Sequence, residues 1–192
     1  MLLACDGLAC IRGGRLLFRD LGFALAAGEA LWVRGPNGAG KSSLLRLVAG
    51  LLRAEAGTIT RPALLALADE RAALDPELPL ARALAFWTPL DGADPAAVTD
   101  AMAAMALDSL ADVPVAMLST GQRKRAALAR TIASGAQLWL LDEPGNGLDG
   151  PSLELLRTAI SRHRASGGAV LFASHFDLAL PGQQQLFVGE RT

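Results

Sequence analysis

The sequence holds no tyrosine, two cysteines and two histidines among its 192 residues, and only 5% of it is aromatic. Cys5 and Cys10 are too few for a disulfide framework, and their spacing matches no metal or redox motif, so both read as reduced structural thiols. Charge of one sign is lacking as well. Eighteen basic residues against nineteen acidic ones leave a formal charge of −1, which removes the net-basic footprint of a nucleic-acid binder. No uninterrupted apolar run approaches the roughly 18 residues that a membrane-spanning helix needs. The start MLLACDGLAC lacks a basic stretch and Asp6 interrupts its apolar residues, so no secretory signal is expected there. What is present is apolar material: 52% hydrophobic against 19% charged residues, with a mean hydropathy of +0.33. That composition excludes a disordered chain and requires a packed core or a covered partner face.

Leu8 to Ile11, Leu21 to Leu25 and Ala30 to Val33 read as strands between glycine-bearing turns. Leu44, Leu45, Leu47, Val48, Leu51 and Leu52 keep helical spacing up to Gly57. Leu64 to Ala68 reads as a buried strand. Prolines 76, 79, 89 and 95 then punctuate short Ala/Leu-rich helical patterns. Asp94 followed by Pro95 is a helix start, and Val98, Met102, Met105 and Ala106 follow at helical spacing as core fillers. The last third alternates cleanly: a helix from Ser119, a strand over Gln137 to Leu141, a helix over Pro151 to Ala165 and a strand over Gly168 to Ala173. Gln183 to Val188 reads as a final edge strand. The pattern predicts one α/β domain over 1–192 with a helical insertion at approximately 75–118.

Gly35-Pro36-Asn37-Gly38-Ala39-Gly40-Lys41-Ser42 fits G-x-x-x-x-G-K-[ST] and stands between a strand and an amphipathic helix, with Ser43 next in line. The glycines let backbone N–H groups turn inward on an anion, and the following helix directs its positive end to the same point. Lys41 reaches the outer phosphates and the Ser42 hydroxyl suits Mg²⁺. Gln137 to Leu141 delivers Asp142 and Glu143 at the end of a buried strand, where Asp142 serves as a second Mg²⁺ contact and Glu143 as a base toward water. Leu118-Ser119-Thr120-Gly121-Gln122 satisfies a capping box, and a capped helix start is also a contact for a terminal phosphate. Arg123, Lys124, Arg125 and Arg130 read as a basic helix face.

These motifs, with Gly147-Leu148-Asp149 and Ala173-Ser174-His175, resemble in order and spacing the ATP-binding cassette (ABC) ATPases over essentially the whole chain. The resemblance implies a P-loop NTPase core with an N-terminal antiparallel β-subdomain and a helical subdomain, binding ATP and Mg²⁺. It further implies a homodimer in which two chains sandwich two ATP molecules. Ser119, Thr120, Gly121 and Gln122 would meet ATP across that interface. Glu143 would be the catalytic carboxylate, Asp149 part of an inter-subunit loop, and His175 a switch histidine near the γ-phosphate. His163, on a polar helix face, reads as a packed or surface histidine.

Within that family, Cys10 to Phe18, the helix LLRLVAGLLRAEAGTI and Leu78 to Trp87 resemble the haem-exporter ATPases of cytochrome c maturation. That resemblance implies a peripheral location on the cytoplasmic face of a bacterial inner membrane, an integral-membrane permease and a haem-handling membrane partner. The alternatives are an ABC ATPase serving another permease, or a soluble ABC ATPase working on a scaffold or nucleic acid; the near-neutral charge counts against the latter. Three departures stand out. Thr120 replaces the usual glycine of the signature. Glu70, beside Arg71, stands where the family carries a glutamine, and its carboxylate could ligate Mg²⁺. Arg12 stands where the family stacks an aromatic ring on adenine; its guanidinium plane can stack on a base with little selectivity. Pro79 to Leu90 reads as the core of the helical insertion, with a docking surface for membrane loops as the rival reading.

Overall fold

The structure is a computed structural model that describes residues 1–69 and 73–189. β1 (Leu3–Arg12) and β2 (Arg15–Leu25) pair antiparallel across Gly13 and Gly14. Both glycines have positive φ, 56° and 77°, the requirement of a two-residue turn whose twist matches its strands. The hairpin extends both predicted strands toward each other and carries β1 back to Leu3. β4 (Ala56–Thr60) pairs antiparallel with the other edge of β1, giving the order β2-β1-β4.

Five parallel strands form the second sheet, in the order β5-β6-β7-β3-β8. They are β3 (Ala30–Arg34), β5 (Leu65–Ala68), β6 (Leu138–Asp142), β7 (Ala169–Ala173) and β8 (Gln184–Phe187). β6 and β7 are buried at every position, which is why they read as continuous apolar runs. Strand alternation sorts their side chains by face. Leu138 and Leu140 face the cluster built on α1 (Lys41–Ala49) and the three-stranded sheet. Trp139 and Leu141 face the other cluster, built on α5 (Thr120–Ala133) and α6 (Gly150–Ala165). α1 buries Leu44, Leu45, Leu47 and Val48, each contributing about 1.5–3 kcal/mol of transfer free energy.

α1 stops at Ala49, well short of the Gly57 expected from periodicity. Gly50 at φ 78° turns its N–H back to the carbonyls of Arg46 and Leu47 and ends the helix, a stop that glycine makes without steric penalty. Leu51 keeps the helical phase in sequence yet is 65% exposed. The segment beyond becomes β4, which sequence reading did not find.

α2 (Leu80–Ala85), α3 (Thr88–Asp91), α4 (Ala96–Ala104) and two 3₁₀ turns lie between β5 and α5. α4 begins one residue later than predicted, with Asp94 Oδ1 accepting from the Ala96 N–H at 2.8 Å. Met102 and Met105 are buried core residues. The basic face of α5 is partly consumed by packing. Arg125 donates to the carbonyls of Met105 and Ala106, and the Arg130 guanidinium lies 4.1 Å from the centre of the Trp87 ring. Within Pro79 to Leu90, Leu80, Ala83 and Leu84 are buried in the core expected of the helical insertion, while Phe86 and Leu90 stand exposed.

Candidate functional site

Of the residues singled out by sequence, the 35–43 segment, Asp142, Glu143 and His175 gather at the C-terminal ends of β3, β6 and β7. β3 runs into a loop whose first residue, Gly35, has φ 150°. A Cβ there would stand 2.1 Å from the Val188 carbonyl oxygen, so no other residue fits beside the chain leaving β8. The loop continues through Pro36, Asn37, Gly38 and Ala39 to Gly40, which caps α1 at φ 104°. The backbone N–H groups of Lys41, Ser42 and Ser43 open the helix and have no carbonyl a turn before them. Lys41 is buried, and its ammonium donates to the carbonyls of Gly35 (2.8 Å) and Pro36 (3.1 Å). Those two bonds fix the cation against the loop.

The Ser42 hydroxyl donates to Asp142 Oδ1 at 3.0 Å. A hydroxyl and a carboxylate in contact form a hard oxygen donor pair, the type that Mg²⁺ takes alongside phosphate oxygens and water. Asp142 is 7% exposed at the last position of β6. One residue on, the backbone turns sharply. Glu143 has φ 45°, a conformation that a side chain disfavours, and its N–H donates to the Ala173 carbonyl at 2.9 Å. The turn sends successive carboxylates in different directions: Asp142 to Ser42, Glu143 to His175. Glu143 Oε2 accepts from the His175 backbone N–H at 3.3 Å, and Oε1 lies 3.2 Å from His175 Nε2.

Ser119 to Gln122 form the predicted capping box. Ser119 Oγ accepts from the Gln122 N–H, and Gln122 Oε1 accepts from the Ser119 N–H. A Cβ on Gly121 would stand 3.5 Å from the Gly147 carbonyl, so this helix start lies against the segment that follows Glu143. Asp149 caps α6 by accepting from the Ser152 N–H at 2.9 Å. Its hydrogen bonds with Ser152 hold its carboxyl below the usual range. Thr120 is the first residue of α5.

A cavity of about 640 Å³ lies beside the 35–40 loop, lined by Arg15, Leu17 and Arg19 from β2, by Pro36 to Ala39, and by Phe187. Ser119 to Gln122 do not line it, and neither does Arg12, which is exposed where β1 meets the Gly13–Gly14 turn. Glu70 lies outside the described residues. His163 is far from this constellation in role: it stacks on Trp139 with ring centres 3.9 Å apart, at the opposite ends of β6 and β7. Sequence reading missed Arg15 and Phe187, which no motif marks. It also took Trp32 as one more apolar strand residue, although the Trp32 indole donates to the Ser174 carbonyl at 2.9 Å.

The chain is similar to known proteins along most of its length. The ABC transporter family profile matches residues 18–146. The cytochrome c biogenesis ATP-binding export protein CcmA of Sphingopyxis alaskensis is 64% identical over 189 residues, which is 98% of this chain and 97% of its own length. CcmA of Zymomonas mobilis is 53% identical, covering 96% of this chain and 83% of its own. A solved structure of the ATP-binding subunit of an ABC transporter superposes with a TM-score of 0.88 at 22% identity, over 98% of this chain and 86% of that one. At that identity the likeness is one of fold.

Proposed function

The chain belongs to the ABC transporter family, and from that membership we propose that it is the ATP-binding and ATP-hydrolysing subunit of the haem exporter of cytochrome c maturation. Its fold is the P-loop ABC ATPase fold, and its activity is ATP hydrolysis coupled to transport. The observation that carries the mechanistic reading is the pair of contacts Ser42–Asp142 and Glu143–His175, set beside one phosphate-binding loop.

In this reading the backbone from Gly35 to Gly40 and the N–H groups of Lys41, Ser42 and Ser43 bind the phosphates, with Lys41 on the outer two. Ser42 and Asp142 would hold Mg²⁺, with Glu70 a further candidate ligand; when bound, the ion neutralises charge on the phosphate oxygens. Glu143 orients and polarises the attacking water. The water oxygen bonds to the γ-phosphorus, the bond to the β-phosphate oxygen breaks, and ADP leaves with that electron pair while the proton passes toward Glu143. His175 lies against Glu143 and would meet the γ-phosphate. Positioning and charge stabilisation carry most of such a reaction. Arg12 offers its guanidinium plane to the base.

Ser119, Thr120, Gly121 and Gln122, with Asp149 nearby, act on the ATP of a second copy in an ATP-bound homodimer. The similarity to CcmA supports an integral-membrane permease and a haem-handling membrane partner, with release of a haem-loaded chaperone as the work done. No nucleic acid is involved. Among the described residues no helix is long and apolar enough to cross a membrane. A peripheral position on the cytoplasmic face of the inner membrane fits that observation, with exposed Phe86 and Leu90 as an apolar face toward the permease.

The test is a pull-down of tagged Glu143→Gln protein from native membranes in Mg-ATP, read by mass spectrometry. Recovery of cytochrome c maturation subunits is expected. Recovery of an unrelated permease would keep the ATPase chemistry and reassign its purpose.

A further inference from the structure

We propose that Trp32 is a positioning residue for ATP hydrolysis, holding the His175 segment in register with Glu143 through its indole N–H. The proposal rests on the catalytic reading of Glu143 and His175 given above.

β7 ends at Ala173, and the two residues beyond it carry the carbonyl of Ser174 and the ring of His175. A strand end of this kind has no ladder partner of its own to set the direction in which the chain leaves. Here it is pinned from both neighbouring strands. From β6, the Glu143 N–H donates to the Ala173 carbonyl at 2.9 Å. From β3, the Trp32 indole N–H donates to the Ser174 carbonyl, also at 2.9 Å, across 142 residues of sequence. The second bond replaces a backbone ladder bond with a side chain, one residue past the end of the β3–β7 pairing at Val33 and Ala173.

The indole is itself held. Trp32 is 4% exposed. Its ring lies parallel to that of Phe172, its register partner on β7, with centres 6.2 Å apart and planes 5° apart. On the same face of β3, two residues on, the Arg34 guanidinium covers it at 4.5 Å. Arg34 is in turn tied to Gln185 of β8 at 2.9 Å. A buried indole N–H usually finds an acceptor, and the stacking on Phe172 and the cover of Arg34 hold this ring where it meets the Ser174 carbonyl. Beyond Ser174 the pinning continues. The Phe176 N–H donates to Ser174 Oγ, and the Phe176 ring occupies the space where a Cβ on Gly145 would be, 2.3 Å away. His175 is thus presented between two anchored neighbours, facing the Glu143 carboxylate.

Misplacement of a reacting group by about 1 Å can lower a rate by about 100-fold. Trp32→Phe keeps the stacked ring and removes only the donor. In the complex purified with its membrane partner, kcat for ATP is expected to fall about tenfold, with KM within about twofold, because the phosphate loop is untouched. The decisive reading is a double-mutant cycle with His175→Ala. If Trp32 acts through His175, Trp32→Phe lowers kcat no further in the His175→Ala background. Equal factors in both backgrounds would reduce Trp32 to a general structural role and overturn the proposal, as would wild-type kcat in Trp32→Phe. Trp32→His, which restores a ring N–H, is expected to recover part of the loss; failure to do so while Trp32→Phe melts well below wild type also counts against the idea. A wild-type complex that hydrolyses no ATP would overturn the catalytic reading itself, a result separable from the others.

Discussion

Glu143 and His175 meet twice, once through the His175 backbone N–H and once through its ring, although 32 residues separate them in sequence. The double contact is possible because Glu143 adopts φ 45°, which turns its carboxylate away from Asp142 and across the sheet. Such a backbone conformation costs about 1–3 kcal/mol and persists only where surrounding structure enforces it. The bond from the Glu143 N–H to Ala173 and the packing of Phe176 on Gly145 supply that enforcement.

Glu143→Gln should keep this geometry, since the amide is isosteric and its oxygen can still accept from His175. It removes the carboxylate proposed to polarise water. Phosphate release is expected to fall more than about 100-fold while ATP binding survives, so that Mg-ATP holds the protein as a dimer on size exclusion. A variant that stays monomeric with ATP, or that turns over at the wild-type rate, would deny Glu143 its role.

Ser119 has one observed role and one proposed role, and one pair of substitutions separates them. As the N-cap of α5 it accepts from the Gln122 N–H, and Ser119→Ala should lower stability by about 1 kcal/mol. Aspartate caps as well as serine does, so Ser119→Asp should melt close to wild type. Its carboxylate would, however, face the γ-phosphate of the second copy, and ATP-driven dimerisation should be lost. A Ser119→Asp protein that dimerises and hydrolyses normally would leave only the capping role.

The motifs were legible because phosphate chemistry demands particular residues at particular points of a strand–loop–helix unit. Ser42 and Asp142 could be paired on paper despite lying 100 positions apart for that reason. Elements with no such demand were hidden. β4 is mostly exposed along its five residues, so it leaves no alternating apolar signature. The end of α1 was overrun because Leu51 and Leu52 continue its phase past Gly50. The Trp32–Ser174 bond joins two strands far apart in sequence, and nothing near Trp32 in the chain distinguishes it from another core residue. The same holds for Phe187, whose place on a cavity wall depends on which edge of the sheet β8 occupies.

His163 gives the fold a definable acid sensitivity. Burial against Trp139 lowers its pKa below the ordinary 6.5, opposed by hydrogen bonding to the backbone at Ala169 and Gln137. The folded state therefore prefers the neutral ring, while the unfolded chain takes up a proton as pH falls below about 6.5. The stabilisation is complete above the unfolded pKa and is lost as pH falls through the folded one. His163→Phe keeps a flat ring on Trp139 and cannot titrate. Between pH about 7.5 and about 5, the melting temperature of wild type should drop further than that of His163→Phe. Parallel losses in the two proteins would remove His163 from the account.

In the proposed reading the base is the least constrained part of ATP, because the sequence offers no tyrosine and Arg12 stands where the resembling family stacks a ring. A guanidinium plane stacks on any base, so GTP should be hydrolysed with a KM within about threefold of that for ATP, most of the affinity lying in the phosphates. A cation over a π face at an exposed site contributes about 0.5–1 kcal/mol. Arg12→Ala should accordingly raise KM for ATP and GTP alike, by about two- to fivefold, without changing kcat. Phe187 is the control, because its half-exposed ring lines the cavity beside the phosphate loop from the opposite strand edge. If Phe187→Ala raises KM and Arg12→Ala does not, the base lies on the β8 wall, and the arginine at the turn has no part in holding nucleotide.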